Sequence, residues 1–497
     1  MYLTILIIYL VVTLSLGLLA ARSDKSLEGY YVGGRSLGSG ILALTWGATL
    51  LSSATYIGTA GYAYEHGWAG PIWGAGLMVF GGIFAWLTLG KKVRVISEKI
   101  GSLTIPNLFK KRYGSNIVSG FSSVLMFIFY IPIVASQFVA VGILFETIFG
   151  LPYLWGILIF GVITTLYTSF GGFSAVARTD AFQALLMIAG FFIITPIVIS
   201  KVGGFSGLQQ QLSNIDSGLL EPSGAVGHFT LLMIFSWFIY YLFSTGGQPF
   251  MLVRFFSAKN VNVLKWALPI GLFMMIWVYF NITILGLGAR VLIPDLSSAD
   301  SAFPALIELT LNPVFGGVIV AAIFAAMMST VDSILHVVGT SVANDLFKQN
   351  LNKQASEKTM MLISKISVLL VGVLSFALAI NPPGSVLELA AYGWTCLTSA
   401  LFMPMLAGLY WKKFNKYGAI ASMIGGGGMG AIAIGGLGGF ALGFHPYILA
   451  FPTAVIAGII VTLLTQNRNS EETRKINEVF FSKSNSNDKK ESYEKIL

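Results

Sequence analysis

Apolar residues in this chain fall in long uninterrupted runs separated by short polar breaks, a pattern unlike alternating strands or one-sided surface helices. Each run is close to the roughly 20 residues that an α-helix needs to cross the hydrocarbon of a bilayer. The runs predict thirteen spans, at about 2–21, 38–64, 69–90, 116–144, 153–170, 179–200, 228–252, 264–289, 312–339, 360–380, 386–411, 417–436 and 446–466. With residue 1 outside, the segments at the inner face hold 28 of the 30 Lys and Arg, Lys201 and Arg290 being the exceptions. Basic residues collect on the cytoplasmic side of membrane proteins. The asymmetry therefore predicts an outside N-terminus and a cytoplasmic C-terminus, and it supports the span count, because one missed helix would scramble it.

Two of the spans read as interrupted. The second carries Gly47, Ala48, Thr49, Ser52, Ser53 and Thr55 where a lipid-facing helix would prefer Leu and Val. The seventh carries Ser244-Thr245-Gly246-Gly247-Gln248-Pro249, whose glycines permit non-helical angles and whose proline removes a donor. Broken backbone at membrane depth is tolerated only beside a protein-lined cavity. With the first helix set apart, these are the opening helices of two successive five-helix units, the spacing expected of an inverted-repeat transporter with its site at the breaks. Small-residue packing with a proline kink is the plainer explanation of either segment alone.

Composition narrows the class further. Hydrophobic residues make up 55% and charged residues 10% of the 497 positions, against about a quarter charged in soluble domains. The net charge of +9 lies in loops between spans and needs no nucleic-acid partner. One cysteine, Cys396, excludes an intramolecular disulfide framework and a Cys-based zinc cluster, and it reads as buried packing. Tyr2–Ala21 lacks a basic leader and precedes Arg22 and Lys25, so it reads as a retained helix rather than a signal peptide. The polar tail 467–497 reads as a partly disordered solvated segment. Small solutes, ions and membrane lipid are the expected partners, with no obligate protein partner evident.

Charged residues inside spans are few, so each is informative. Asp180 opens the predicted sixth span and Asp332 lies deep in the ninth, beside Ser329, Thr330 and Ser333 within about one turn. Two carboxylates with hydroxyls form an oxygen-rich set suited to a hard cation such as Na⁺. The plainer alternative has Asp180 capping a helix and Asp332 bonding a neighbour; Glu388 sits too near its span's outer end to need a special role. His66 and His445 fall in or near outer loops, His228 begins a span, and the four histidines form no cluster. His336, one turn after Asp332, keeps proton coupling open. No phosphate-binding loop appears, and the enzyme reading has little to stand on. A membrane sensor whose tail recruits a partner and a channel are the remaining rivals, the latter disfavoured by the pair of breaks.

The segment Leu166-Tyr167-Thr168-Ser169-Phe170-Gly171-Gly172-Phe173-Ser174-Ala175, with Thr179, Asp180 and Gln183, resembles the signature of the solute:sodium symporter family. Met328-Ser329-Thr330-Val331-Asp332-Ser333 resembles a second family motif, and the likeness runs from Tyr30 to about Tyr410. The resemblance implies an all-α, leucine-transporter-like 5+5 inverted repeat with one extra N-terminal and two extra C-terminal helices. On this chain that means an extra helix and inner loop (1–37), repeats at 38–200 and 228–411 around an outer loop (201–227), two C-terminal helices (412–466) and a cytoplasmic tail (467–497). It further implies a sodium site of carbonyls from Ala48, Leu51 and Ala326 with the hydroxyls of Ser329 and Thr330. Members with a second sodium site would match at Asp180 and Ser333, with Asp332 beside them.

Within the family the strings Gly286-Leu287-Gly288-Ala289-Arg290-Val291-Leu292-Ile293-Pro294-Asp295-Leu296 and Gly443-Phe444-His445-Pro446 resemble sodium/pantothenate symporters. Family proline symporters usually carry an aspartate where this chain has Leu50, and sialic-acid members an arginine near Pro132; neither is present. The expected function is sodium-coupled uptake of a small carboxylate such as pantothenate, at the cell inner (plasma) membrane. Proline, monocarboxylates and proton coupling are the alternatives. The expected substrate contacts are Ser52, Ser53, Thr55, Trp73, Gln137, Gly246, Gln248 and Tyr392, with aromatic packing an equal explanation of Trp73 and Tyr392.

Overall fold

The computed structural model describes residues 1–21, 26–466, 476–478 and 480–481. Among these the fold is all-helical, with one isolated bridge between Leu37 and Ala258 as its only extended pairing. The main helices are α1 (Tyr2–Ala21), α2 (Ser39–Leu50), α3 (Ala54–His66), α4 (Met78–Ala85), α5 (Asn116–Phe149), α6 (Tyr153–Gly171) and α7 (Phe173–Lys201). After the outer loop come α8 (Leu231–Ser244), α9 (Pro249–Ser257), α10 (Val261–Leu292), α11 (Pro313–Ser341), α12 (Glu357–Ile380), α13 (Val386–Tyr410), α14 (Lys416–Gly435) and α15 (Tyr447–Leu464).

Among the described residues ten helices are long and apolar enough to cross a membrane, and α2 with α3 makes an eleventh, bent by 62° at its break. The expected spans at 69–90 and 228–252 are built from shorter helical pieces instead. Hydrogen-bonding caps set the ends: Ser115 caps α5, Gly150 in the left-handed region closes it, and Ser385 with Glu388 forms a capping box on α13. Glu388 is thus a helix-end device.

Helix α7 starts at Phe173 rather than 179, because Gly172 at φ +75° ends α6 and starts the next helix at once. Asp180 therefore lies two turns inside α7 and caps nothing. Helix α11 is buried along nearly its whole length, packed among α1, α2, α5, α7 and α12. Large apolar side chains such as Leu87, Ile117 and Leu231 stand exposed on the outer perimeter, where lipid takes the place of a polar shell.

One end of the bundle is sealed by arginines on backbone carbonyls. Arg94 donates to Ala258 O (2.5 Å) and Lys259 O (3.0 Å), and Arg35 donates to Phe256 O (3.2 Å) and Ser102 O (2.7 Å). The described part of the tail joins this end. Ile476 and Phe480 are buried, with the Arg112 guanidinium 5.4 Å from the Phe480 ring. That corrects the solvated-tail expectation for these residues; 467–475, 479 and 482–497 lie outside the described residues.

Candidate functional site at the helix breaks

Leu51 and Ser52 leave the helix between α2 and α3, with Leu51 at φ −86° and ψ 103°. The break frees carbonyls of α2's last turn in a place where water cannot satisfy them. Helix α11 supplies the partners. Ser329 Oγ donates to Ala48 O and Ala326 O, both at 3.0 Å, and Thr330 Oγ1 donates to Thr49 O (3.1 Å) and Ala326 O (3.2 Å). The residues expected to hold the first sodium are thus linked: Ala48, Ala326, Ser329 and Thr330 through these hydroxyl bonds, and Leu51, buried at the break, through its N–H to Ala48 O (3.2 Å).

The other side of the break is held by Gln137, whose Oε1 accepts the Ser53 N–H at 2.8 Å. Its Nε2 donates to Ser136 Oγ (3.1 Å) and Ile133 O (3.4 Å). Gln137 therefore caps the second half-helix. The seventh span breaks likewise: Thr245–Gly247 tightens, Gln248 is extended, and Pro249 starts α9 where its missing N–H costs nothing. Gly247 is required here, since a Cβ would lie 2.5 Å from Thr398 O.

Beside the first break lies a buried charge cluster. Asp180 Oδ2 accepts from Thr45 Oγ1 (2.5 Å), Thr49 Oγ1 (3.1 Å) and Arg254 Nη2 (2.9 Å), and both ion-pair side chains are fully buried. Arg254 also donates to Ser333 Oγ (2.7 Å) and to Thr49 Oγ1. Asp332 accepts from Tyr167 OH and Ser333 Oγ, both at 3.4 Å. The three residues expected at a second sodium site therefore share one cluster. Among the described residues Asp180 Oδ1 has no hydrogen-bond partner. Sequence reasoning counted Arg254 among the inner-face charges and missed its place here.

His336 is not bonded to Asp332; its Nε2 faces Tyr31 O at 3.3 Å, and its ring packs on Tyr30 and Phe173. The histidines are not all apart, as expected from sequence: His66 and His228 stack at 3.9 Å, brought together by the outer loop.

A cavity runs from Thr49 and Thr330 beside the breaks to Tyr62, Trp237 and His445, away from the arginine-sealed end. Of the expected substrate contacts, Ser52, Thr55 and Gln248 line it. Gln248 is buried, and its Oε1 has no protein partner among the described residues. Ser53 and Gly246 lie at the breaks without lining the cavity, and a Cβ on Gly246 would meet Phe402 at 2.8 Å. Trp73 donates to Pro222 O (2.7 Å) and Tyr392 packs on Phe129, both outside the lining. The lining residues missed from sequence are chiefly aromatic: Trp237, Tyr240, Tyr241, Tyr279 and Trp394. Their signal was drowned by the general abundance of aromatics.

Enzymatic chemistry finds no footing in these residues. Gly34-Arg35-Ser36-Leu37-Gly38 has the spacing of a hydrolase elbow, but it follows a tight helical turn rather than a strand, and Ser36 Oγ donates to Gly33 O at 2.7 Å. Among the described residues no group of three or more His, Cys, Asp or Glu could hold a metal.

Comparison with known proteins agrees with this geometry. The model of the sodium:solute symporter family matches residues 30–426. The chain is 30% identical to the osmoregulated proline transporter OpuE of Bacillus subtilis, over 92% of this chain and 94% of that protein. It is also 30% identical to the sodium/pantothenate symporter of Escherichia coli K12, over 92% and 95%. A substrate-bound, outward-open Na⁺-coupled sialic acid symporter superposes with a TM-score of 0.77 at 20% identity, covering 93% of this chain and 98% of that one. The nucleobase-cation symporter Mhp1 in a closed conformation follows at 0.55 and 15% identity, over 90% and 98%. The fold is the leucine-transporter-like repeat that the family resemblance implies, and the chain belongs to the sodium:solute symporter family.

Proposed function

We propose that this symporter couples sodium entry to uptake of a small carboxylate, pantothenate before proline, across the plasma membrane. The first sodium is held by carbonyls of Ala48, Leu51 and Ala326 with the hydroxyls of Ser329 and Thr330. The observation that carries this reading is that Ser329 and Thr330 donate to Ala48 O and Thr49 O at the break, and both to Ala326 O on their own helix. Rotating each hydroxyl hydrogen away would turn the same oxygens into an all-oxygen cage for a hard cation.

A second cation fits beside Asp180 and Asp332. With both carboxylates ionised, the one guanidinium would leave one negative charge uncompensated, and a buried charge is costly without a partner. Asp180 Oδ1, which has no hydrogen-bond partner among the described residues, supports that reading. Energetics favour it too: one charge through about 100 mV gives roughly 2.3 kcal/mol and a tenfold gradient about 1.4. One sodium carrying a monoanion moves no net charge and yields only about tenfold accumulation, whereas two sodiums allow roughly 5,000-fold.

Identity does not separate pantothenate from proline, being 30% to relatives of both kinds. Leu50 does bear on it: it lines the cavity where family proline symporters usually carry an aspartate. The test is uptake of labelled pantothenate and labelled proline by proteoliposomes under equal inward sodium gradients. Pantothenate accumulation that excess proline leaves intact is the expected result; proline accumulation alone would reassign the substrate.

A further inference from the structure

The described tail residues straddle two elements of the arginine-sealed end. One is the short helix Ile105–Tyr113, between α4 and α5; the other is the turn that follows α13. These two already meet. Arg112 donates through Nε to Gly408 O (2.6 Å) and through Nη2 to Trp411 O (3.1 Å) and Phe414 O (3.2 Å), and Tyr113 OH donates to Pro404 O (2.5 Å). The tail lies over this junction. The Arg112 guanidinium stands 5.4 Å from the Phe480 ring and 5.2 Å from the Phe481 ring, within cation–π reach of both. Asn477 Nδ2 donates to Lys412 O (3.1 Å), and Ile476 packs at Gly114, where a Cβ would come 2.9 Å from its Cδ1. Ile476 and Phe480 join the main apolar core with 1% and 3% of their surface exposed. Hydrogen bonds shielded from water are stronger, so rings that cover Arg112 tighten its hold on the carbonyls after α13.

We propose that Ile476, Asn477, Phe480 and Phe481 form an autoinhibitory strap, which holds the helix Ile105–Tyr113 against the end of α13 and so favours the state in which this end is closed. Carriers of this fold work by rocking one helix bundle against another. Opening the sealed end parts the elements that Arg112 joins, and it cannot do so with the tail in place without uncovering Ile476 and Phe480. Apolar surface returned to water opposes that motion. The strap therefore acts on the closed-to-open equilibrium of the sealed end, and undocking it is part of the transport cycle. It touches neither the cavity nor the proposed cation ligands, so it changes how often the carrier opens and not what it binds.

The test has two arms on the full-length carrier in proteoliposomes, both in a Cys396→Ser background. In the first, Lys412→Cys/Asn477→Cys is oxidised to tie the tail down. A cross-link that abolishes sodium-driven uptake of pantothenate or proline, whichever the carrier accumulates, is expected, with uptake restored by dithiothreitol and each single-cysteine variant indifferent to the oxidant. In the second, Ser257→Cys reports on the sealed end, because Ser257 is fully buried beside the carbonyls that Arg35 and Arg94 hold. Adding Phe480→Ala/Phe481→Ala is expected to raise its reactivity toward a hydrophilic thiol reagent applied on that side about tenfold, the scale of one buried aromatic side chain given up to water. This arm needs no substrate, so it is decided even if the carboxylate reading fails. Failure of the cross-link to form, full uptake by the cross-linked carrier, or unchanged Ser257→Cys reactivity would each overturn the proposal.

Discussion

Arg254 is fully buried, and its guanidinium reaches Asp180 and Ser333 while Nη1 donates to Phe250 O at 2.6 Å. Breaking a buried pair from one side strands the other charge and costs about 3–5 kcal/mol. Arg254→Ala is therefore expected to lower the thermal unfolding temperature in detergent clearly, and adding Asp180→Asn should restore part of it. Equal stability of Arg254→Ala and the native chain would remove the ion pair from the account. The sequence exposed Asp180, Asp332, Ser329 and Thr330 because charges and hydroxyl runs are rare in apolar helices. It hid Arg254 because a cation just past an apolar run reads as a loop charge, whereas the helix continues three residues beyond it to Ser257 and buries it.

The paired breaks are the feature of the elements that function depends on, and both were legible, since glycine, proline and hydroxyl runs interrupt otherwise uniform apolar stretches. What holds them open was not legible, because the partners are distant in sequence. Gln137 accepts the Ser53 N–H, and Tyr130 OH accepts the Phe250 N–H at 3.3 Å, each from α5. Removing the acceptor leaves a buried N–H unsatisfied, worth about 1–3 kcal/mol. Gln137→Leu is expected to raise the half-saturating sodium concentration about tenfold or more in uptake assays; unchanged sodium activation would deny it a capping role. At the sealed end, Arg94→Gln gives up side-chain bonds to Ala258 O and Lys259 O. It should increase the reactivity of a cysteine placed at Ser333 toward a reagent applied on that side, and unaltered reactivity would show that the arginines do not hold the seal.

On the scale of the whole molecule, the cavity is lined away from the arginine-sealed end, the disposition of an outward-facing carrier if the charge asymmetry sets the orientation. Hydropathy found a helical counterpart for every expected span, but it could not tell a continuous helix from the pieces at 69–90 and 228–252, because broken and intact segments carry the same apolar load. A carboxylate carried with two sodiums moves one net charge inward per cycle, so uptake should accelerate with an inside-negative potential. The flux ratio of labelled sodium to labelled substrate is expected to be two; a ratio of one would leave Arg254 as the sole cation of the Asp180 cluster.

Sodium activation of pantothenate or proline uptake, whichever the native carrier accumulates, measured for the native chain and for Ser329→Ala/Thr330→Ala tests the central claim most directly. The account predicts that accumulation in the native carrier requires an inward sodium gradient, and that the double variant needs at least about tenfold more sodium or loses uptake altogether. Native sodium activation retained in the double variant, or accumulation that follows a pH gradient without sodium, would contradict it.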